Sequence, residues 1–203
     1  MTDECVKAEQ LREIVTLSSL VTSSLDPREI RRRAVEASVR LVGAERASLL
    51  LLEGKGDRLY FEVALGEDAE KLERVRIIPG QGIAGAVARS CQPVVINDVQ
   101  ADPRYWAGVD QQTGFVTRSM ICVPLACKGQ TLGVLQVMNK ADGAFTDDDL
   151  QLISTLGNQI AIGIENARLH ERLRHNFLEM WIYAAVLVAV LLAAGWWLVS
   201  LGR

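Results

Sequence analysis

Histidine is almost missing from this chain. Two histidines in 203 residues, both late at His170 and His175, leave little for haem ligation, for metal sites, or for a triad in which imidazole takes a proton from a nucleophile. Cysteine is scarce and scattered. Cys5, Cys91, Cys122 and Cys127 form no C-x-x-C pair, so neither a disulfide scaffold nor a zinc site is read. Excess charge of either sign is lacking too. A net charge of −3 without any basic block excludes a nucleic-acid surface. A charged fraction of 23% excludes both a disordered tail and a multi-spanning membrane protein. That charge is unevenly spread, and Met180 to Gly202 carries none of it.

Met180 to Leu201 reads MWIYAAVLVAVLLAAGWWLVSL. It covers roughly 22 residues, about 33 Å of helix, which matches a bilayer core. Trp181 and Tyr183 near one end and Trp196 and Trp197 near the other sit where amphipathic rings settle at the interfaces. A buried core helix of this length carries a polar stripe, and none is visible here. Residues 180–201 are therefore read as one C-terminal transmembrane helix. Arg168, Arg172 and Arg174 precede it and a single Arg203 follows, which places the N-terminal part in the cytoplasm. The expectation is a single-pass, tail-anchored protein of the cell inner membrane, with its thiols in a reducing compartment.

The remainder alternates helical and strand patterns. Leu11, Ile14, Val21 and Leu25 have helical spacing in residues 1–25, a helix for packing or dimerisation. Asp26 and Pro27 cap and open a second helix that runs to about Leu41, with Gly43 as its C-cap. Ala47 to Glu53 is a continuous apolar run, as for a strand covered on both faces, and Gly54 to Asp57 turns it back. Leu59, Phe61, Val63 and Leu65 alternate in the next strand, and Arg74 to Ile78 forms a third. Gly82 to Ser90 reads as a short helix with small residues for close packing, and Pro93 to Asn97 as a short strand. Asp98 to Thr117 has no clear period, and the loop Asp98 to Arg118 is the pocket candidate. Ser119 to Cys127 and Leu132 to Asn139 are strands around a Lys128-Gly129-Gln130 turn. Thr146 caps the last helix, with Asp147, Asp148 and Asp149 in its first turn, where acidic groups favour the dipole. No break separates that helix from the span, so one helix of about 34 residues is read from Thr146 to Glu179. The fold class is α+β: a central, largely antiparallel sheet with the terminal helices packed on one face, plus the transmembrane helix.

Five stretches in this order resemble the GAF domain family. They are IIPGQGIAGAVA (Ile77–Ala88), PVVINDVQADPRY (Pro93–Tyr105), TGFVTRSMICVPL (Thr113–Leu125), LGVLQVMNK (Leu132–Lys140) and the bacterial-looking FTDDDLQLISTLGNQIAIGIENARL (Phe145–Leu169). The resemblance assigns residues 26–173 to the GAF domain, with 174–179 as a juxtamembrane helix. It implies a small-molecule pocket on one face of the sheet, a lid formed by the loops after Asn97, and dimerising terminal helices. GAF domains bind cyclic nucleotides, other small molecules, haem or bilins, and many have no known ligand.

Within that frame, the pocket candidates are Asp98, Arg104, Tyr105, Trp106, Thr113, Phe115, Arg118 and Cys122. The aromatic members are able to stack on a flat ring, and the polar ones to fix its substituents. Asn139, Lys140, Phe145 and Asp149 match the family's N-K-F-D pattern, with Leu150 where the cyclic-nucleotide subfamily has Glu. They are read as a structural clasp of strand to helix. Gly80 to Gly85 lacks both the Lys-Ser/Thr of a phosphate loop and the G-x-G-x-x-G spacing, and is read as tight packing. No catalytic residue, metal or cofactor is assigned. The ligand is an unidentified small molecule, such as a cyclic nucleotide. The expected function is a membrane-tethered cytoplasmic sensory module. It binds that molecule, forms a homodimer, and passes its state through the last helix to a signalling partner. The alternatives are a ligand-free docking scaffold and a free methionine sulfoxide reductase acting through Cys91 and Cys122.

Overall fold

The computed structural model describes residues 27–54, 58–66, 69–72 and 74–169. The elements are α1 (Pro27–Val42), β1 (Ala44–Glu53), β2 (Arg58–Ala64), α2 (Ala69–Leu72), β3 (Arg76–Ile77), α3 (Gly82–Ser90), β4 (Val94–Ile96), α4 (Gly108–Thr113), β5 (Met120–Cys127) and β6 (Gln130–Lys140). A last helix, α5, is described over 147–169. The expected helix over 1–25, the Asp26 cap, the juxtamembrane helix 174–179, the span 180–201 and both histidines lie outside the described residues. Among the described residues no helix is long and apolar enough to cross a membrane.

The strands form one six-stranded antiparallel sheet in the order β3-β2-β1-β6-β5-β4. Its centre is buried on both faces, because β1 from Ala47 to Leu51 and β6 from Leu132 to Val137 are buried throughout. Helix α1 covers one face, where Arg31 crosses to pair with Glu62 of β2. The stretch 147–163 of α5 covers the same face over β5. There Gly157 stands so near that a Cβ on it would lie 3.0 Å from Val123. Helix α3 covers the other face, with Ile83, Ala84 and Val87 packed among Leu50, Leu59, Cys122 and Val134. The chain divides into two compact units, Met1–Gly163 and Ile164–Arg203, and of the second only 164–169, a continuation of α5, is described.

Three sequence expectations are corrected by the structure. The strand expected over 74–78 is only Arg76–Ile77, because α2 and the turn after it take up the chain before. The unpatterned segment after Asn97 contains helix α4, ended by Gly114 in the left-handed conformation at φ 75°. In β2 the alternation breaks. Leu50 pairs with Phe61, but Leu49 pairs with Val63, and this bulge turns Ala64 to the α3 face where Val63 was expected. A bulge inserts one residue and so inverts the parity of everything beyond it.

Candidate functional site

Between the sheet and the segment after Val99 lies a cavity of about 80 Å³. Its floor is Ser48 and Arg46 from β1, Phe61 and Ala64 from β2, and Gln136 and Met138 from β6. Its wall is the start of α3, from Gln81 to Ala84, and its roof is Tyr105, Trp106, Val109, Thr113 and Phe115. The roof returns to where it starts, since Val99 N–H donates to the Arg118 carbonyl at 2.9 Å.

A carboxylate fastens the roof. Asp110 of α4 accepts from the Tyr105 hydroxyl at 2.8 Å, from Thr117 N–H at 2.7 Å and from the Thr117 hydroxyl at 2.9 Å. Burial, and then the hydrogen bond to Asp110, push the Tyr105 phenol up to about 12. Thr113, buried, donates to the Val109 carbonyl at 3.0 Å and accepts from Phe115 N–H at 3.3 Å, which sets the direction of the Phe115 ring.

The floor is less completely bonded. Ser48 and Gln136 face each other across β1 and β6. The Ser48 hydroxyl donates to Gln136 Oε1 at a long 3.4 Å, and Gln136 Nε2 donates only to the Met120 thioether at 3.3 Å. Thioether sulfur is a weak acceptor, and an amide nitrogen carries two protons. A buried amide held this loosely retains donor capacity toward the cavity.

Of the pocket candidates, Tyr105, Trp106, Thr113 and Phe115 line the cavity, and the other four do not. Asp98 is exposed and accepts from Ala101 N–H at 3.3 Å, a turn contact. Arg104 is exposed and closed on Asp102 by two bonds of 2.9 and 2.6 Å. Arg118 points away to pair with Glu45. Cys122 faces α3 inside the packed core at 0% exposure, where burial drives its thiol far above the ordinary range. Cys91 is exposed at the C-cap of α3, and neither it nor Cys127 lines the cavity. Sequence reasoning missed Arg46, Ser48 and Gln136. For Ser48 and Gln136 the signal was present, since each is a polar residue within an apolar run, whereas Arg46 lies beside Glu45 just before the apolar run of β1.

The expected clasp divides into two devices. Lys140 pairs with Asp149, which also accepts from Thr146 N–H at 2.9 Å and Thr146 Oγ1 at 3.1 Å. Thr146 Oγ1 accepts in turn from Asp149 N–H at 3.2 Å, a reciprocal cap on α5. Phe145 is buried beneath, with the Lys140 ammonium 5.7 Å from its ring centre. Asn139 belongs elsewhere. At φ 57° and fully buried, it accepts from Arg118 N–H at 2.7 Å and Ser119 N–H at 3.3 Å. It donates to Glu45 and to the Val116 carbonyl, both at 2.9 Å. It therefore fastens the end of the roof segment to the start of β1. Asn97, which no pattern singled out, bonds both backbone groups of Phe145, at 3.0 and 2.8 Å. Among the described residues no group of three or more His, Cys, Asp or Glu is placed to hold a metal.

A sheet that carries α1 and α5 on one face, and α3 with a roofed cavity on the other, is an α+β domain in its layout. The family model for the GAF domain matches residues 26–164. A probable 3',5'-cyclic phosphodiesterase, pde-5 of Caenorhabditis elegans, is 32% identical over 146 residues, 68% of this chain and 20% of that protein. The chain thus spans about a fifth of that relative's length. The GAF domain of a phosphoenolpyruvate-protein phosphotransferase from Coxiella burnetii superposes with a TM-score of 0.73 at 18% identity, covering 80% of this chain and 96% of that one. A free methionine-R-sulfoxide reductase from Neisseria meningitidis superposes at 0.69 with 22% identity, covering 84% and 95%. These two structures share the fold. The chain belongs to the GAF domain family.

Proposed function

We propose that this GAF domain is a sensory module that holds a small molecule between the β1/β6 floor and the Tyr105–Phe115 roof. The observation that carries this reading is the floor itself: a buried, loosely bonded Ser48–Gln136 pair beneath aromatic side chains. A pocket of apolar walls with a few convergent polar groups is the form that small-molecule sites take. Cyclic nucleotides are the first class to test, because the nematode relative is named for a 3',5'-cyclic phosphodiesterase activity. The module acts without catalysis of its own. It works as a homodimer, is tethered by a membrane span at 180–201 with the domain in the cytoplasm, and passes occupancy through α5 to a signalling partner.

Calorimetry of the purified chain with cyclic GMP and cyclic AMP, beside native mass spectrometry of the untreated protein, tests the central reading. Saturable binding by one of the nucleotides, or a copurified small molecule lost on Gln136→Leu substitution, is the expected result. The tether is tested by cell fractionation, where deleting 180–201 releases the chain from membranes. A reductase reading is disfavoured because none of Cys91, Cys122 and Cys127 reaches the cavity.

The docking-scaffold reading has one observation in its favour. A cavity of about 80 Å³ is smaller than the few hundred Å³ that organic ligands usually occupy. Binding under the sensory reading therefore moves the roof outward. If no ligand is found by either method and the roof stays closed, the scaffold reading stands in its place.

A further inference from the structure

The two β2 residues on the cavity floor are Phe61 and Ala64. They stand three apart, and a regular strand cannot put residues at that spacing on one face. The bulge makes it possible. Leu50 pairs with Phe61 and Leu49 with Val63, so Glu62 is the extra residue, with no partner on β1. Phe61 and Ala64 face the cavity, while Glu62 between them reaches the opposite face. There it meets Arg31 of α1, the helix packed against β2 on that side.

That ion pair is half made. Its side chains are only 16% and 13% exposed. Arg31 Nη2 donates to Glu62 Oε1 at 2.5 Å. Arg31 Nε, however, is buried with no acceptor among the described residues. Buried polar groups are ordinarily bonded, so an orphan of this kind needs a reason. Guanidinium and carboxylate reach their strongest arrangement as a fork of two parallel bonds. A shift of Glu62 that presents Oε2 to Nε completes the fork. The pair therefore has two arrangements, one bond or two. The residue that decides between them sits at the one point of β2 that the β1 ladder does not hold.

We infer that the β2 bulge is a coupling device, in which an occupant pressing on Phe61 and Ala64 moves Glu62 into the fork with Arg31 and tightens the seat of α1. The inference rests on the small-molecule reading above and adds a route by which occupancy leaves the cavity. Its outlet is α1, the helix that follows residues 1–26, beside the route through α5. Coupling between two sites needs an element with two arrangements that both sites bias, and the Arg31–Glu62 pair is that element. Both are positioning residues, since neither lines the cavity.

Hydrogen exchange on the purified full chain tests this, with substitutions standing in for a ligand. Ala64→Val adds bulk to the cavity floor and is expected to slow exchange of the α1 amides about threefold. Phe61→Leu removes bulk and is expected to speed it by about as much. Both responses are expected to vanish in Glu62→Gln, and in Arg31→Lys, whose ammonium keeps the charge but cannot form the fork. Exchange over 147–163 of α5 is expected to respond alike in every background, which separates the route from a general change in stability. Responses of α1 that persist in both variants, or that are missing when Glu62 and Arg31 are intact, overturn the inference and leave the pocket reading standing. Should neither variant fold, solvent exchange of the Arg31 Nε proton decides. Slowing of that proton by Ala64→Val supports the fork, and an unchanged rate overturns it. A chain that shows the coupling yet binds no small molecule upholds the device and overturns the pocket reading alone.

Discussion

At the scale of single residues, buried polar side chains carry most of what is specific to this chain. Asn139 makes four side-chain hydrogen bonds at 0% exposure from a left-handed backbone position. Asn139→Ala leaves the Arg118 and Ser119 N–H groups without their acceptor and is expected to cost about 2–4 kcal/mol in urea unfolding. Tyr105 gives a signature at high pH. Its pKa rises from 10.0 unfolded to about 12 folded, so the neutral phenol is the form that folding favours. That contribution is fully present below pH 10 and is lost as pH climbs toward 12. Ultraviolet titration is expected to show one late-ionising tyrosine, absent in Tyr105→Phe. Glu45 behaves oppositely. The Asn139 amide, then Arg118, lower its pKa from 4.5, so its contribution holds above pH 4.5 and fades as acid lowers the pH through the folded value. Glu45→Gln is expected to flatten the acid limb of the stability profile.

At the scale of elements, patterns read well where one physical demand acted alone. Helix α3 runs over Gly82–Ser90 as its small residues imply, and Gly85 shows why. A Cβ there would lie 2.4 Å from the Ile78 carbonyl oxygen and 2.9 Å from Gly80 N. Gly85→Ala forces α3 off the turn and is expected to cost about 1–3 kcal/mol by thermal unfolding. The Thr146–Asp149 cap was half legible. Thr146 and the acidic first turn were read, but not the reciprocal bonds that make Asp149 serve both the cap and Lys140. Helix α4 was not legible. Six residues of GVDQQT have no apolar period, and their helix is held by Asp110, Thr113 and Gly114 acting on the surroundings. The β2 bulge was hidden for a related reason, because parity in a strand depends on a partner that the strand's own sequence does not contain.

At the scale of the whole molecule, the α+β class and the antiparallel sheet follow from apolar runs and turn residues, whereas the strand order rests on pairings that no single strand shows. The site did not follow as directly. Seven of the eight pocket candidates were chosen because they share a loop, yet that loop turns Arg104 and Arg118 outward to carboxylates of their own. The cavity floor came from strands that read as plain core, where Ser48 and Gln136 are the exceptions, and from Arg46 just before the apolar run of β1. The consequence for stability is that the two halves of the site answer differently to substitution. Gln136→Leu satisfies the core and is expected to leave the unfolding midpoint unchanged or raised, while Asp110→Ala loosens the roof and lowers it. Thermal melts of the two variants separate these roles.

The three hydrogen bonds on Asp110 also set a clock. Under the proposed sensory function, a ligand enters when the roof lets go of Thr117 and Tyr105, and bonds to a carboxylate are worth about 1.5–3 kcal/mol each net of the water that replaces them. A net opening cost of about 4.5 kcal/mol, the low end for three such bonds, leaves on the order of 1 molecule in 1000 open at any instant, and slows capture by the same factor. Once the roof recloses, escape is slowed as well. Stopped-flow mixing of Asp110→Asn is expected to show entry and exit both faster by about tenfold. Under the proposed function, a domain latched in this way averages over brief fluctuations in its ligand's concentration, and it goes on reporting an occupant after the supply has fallen.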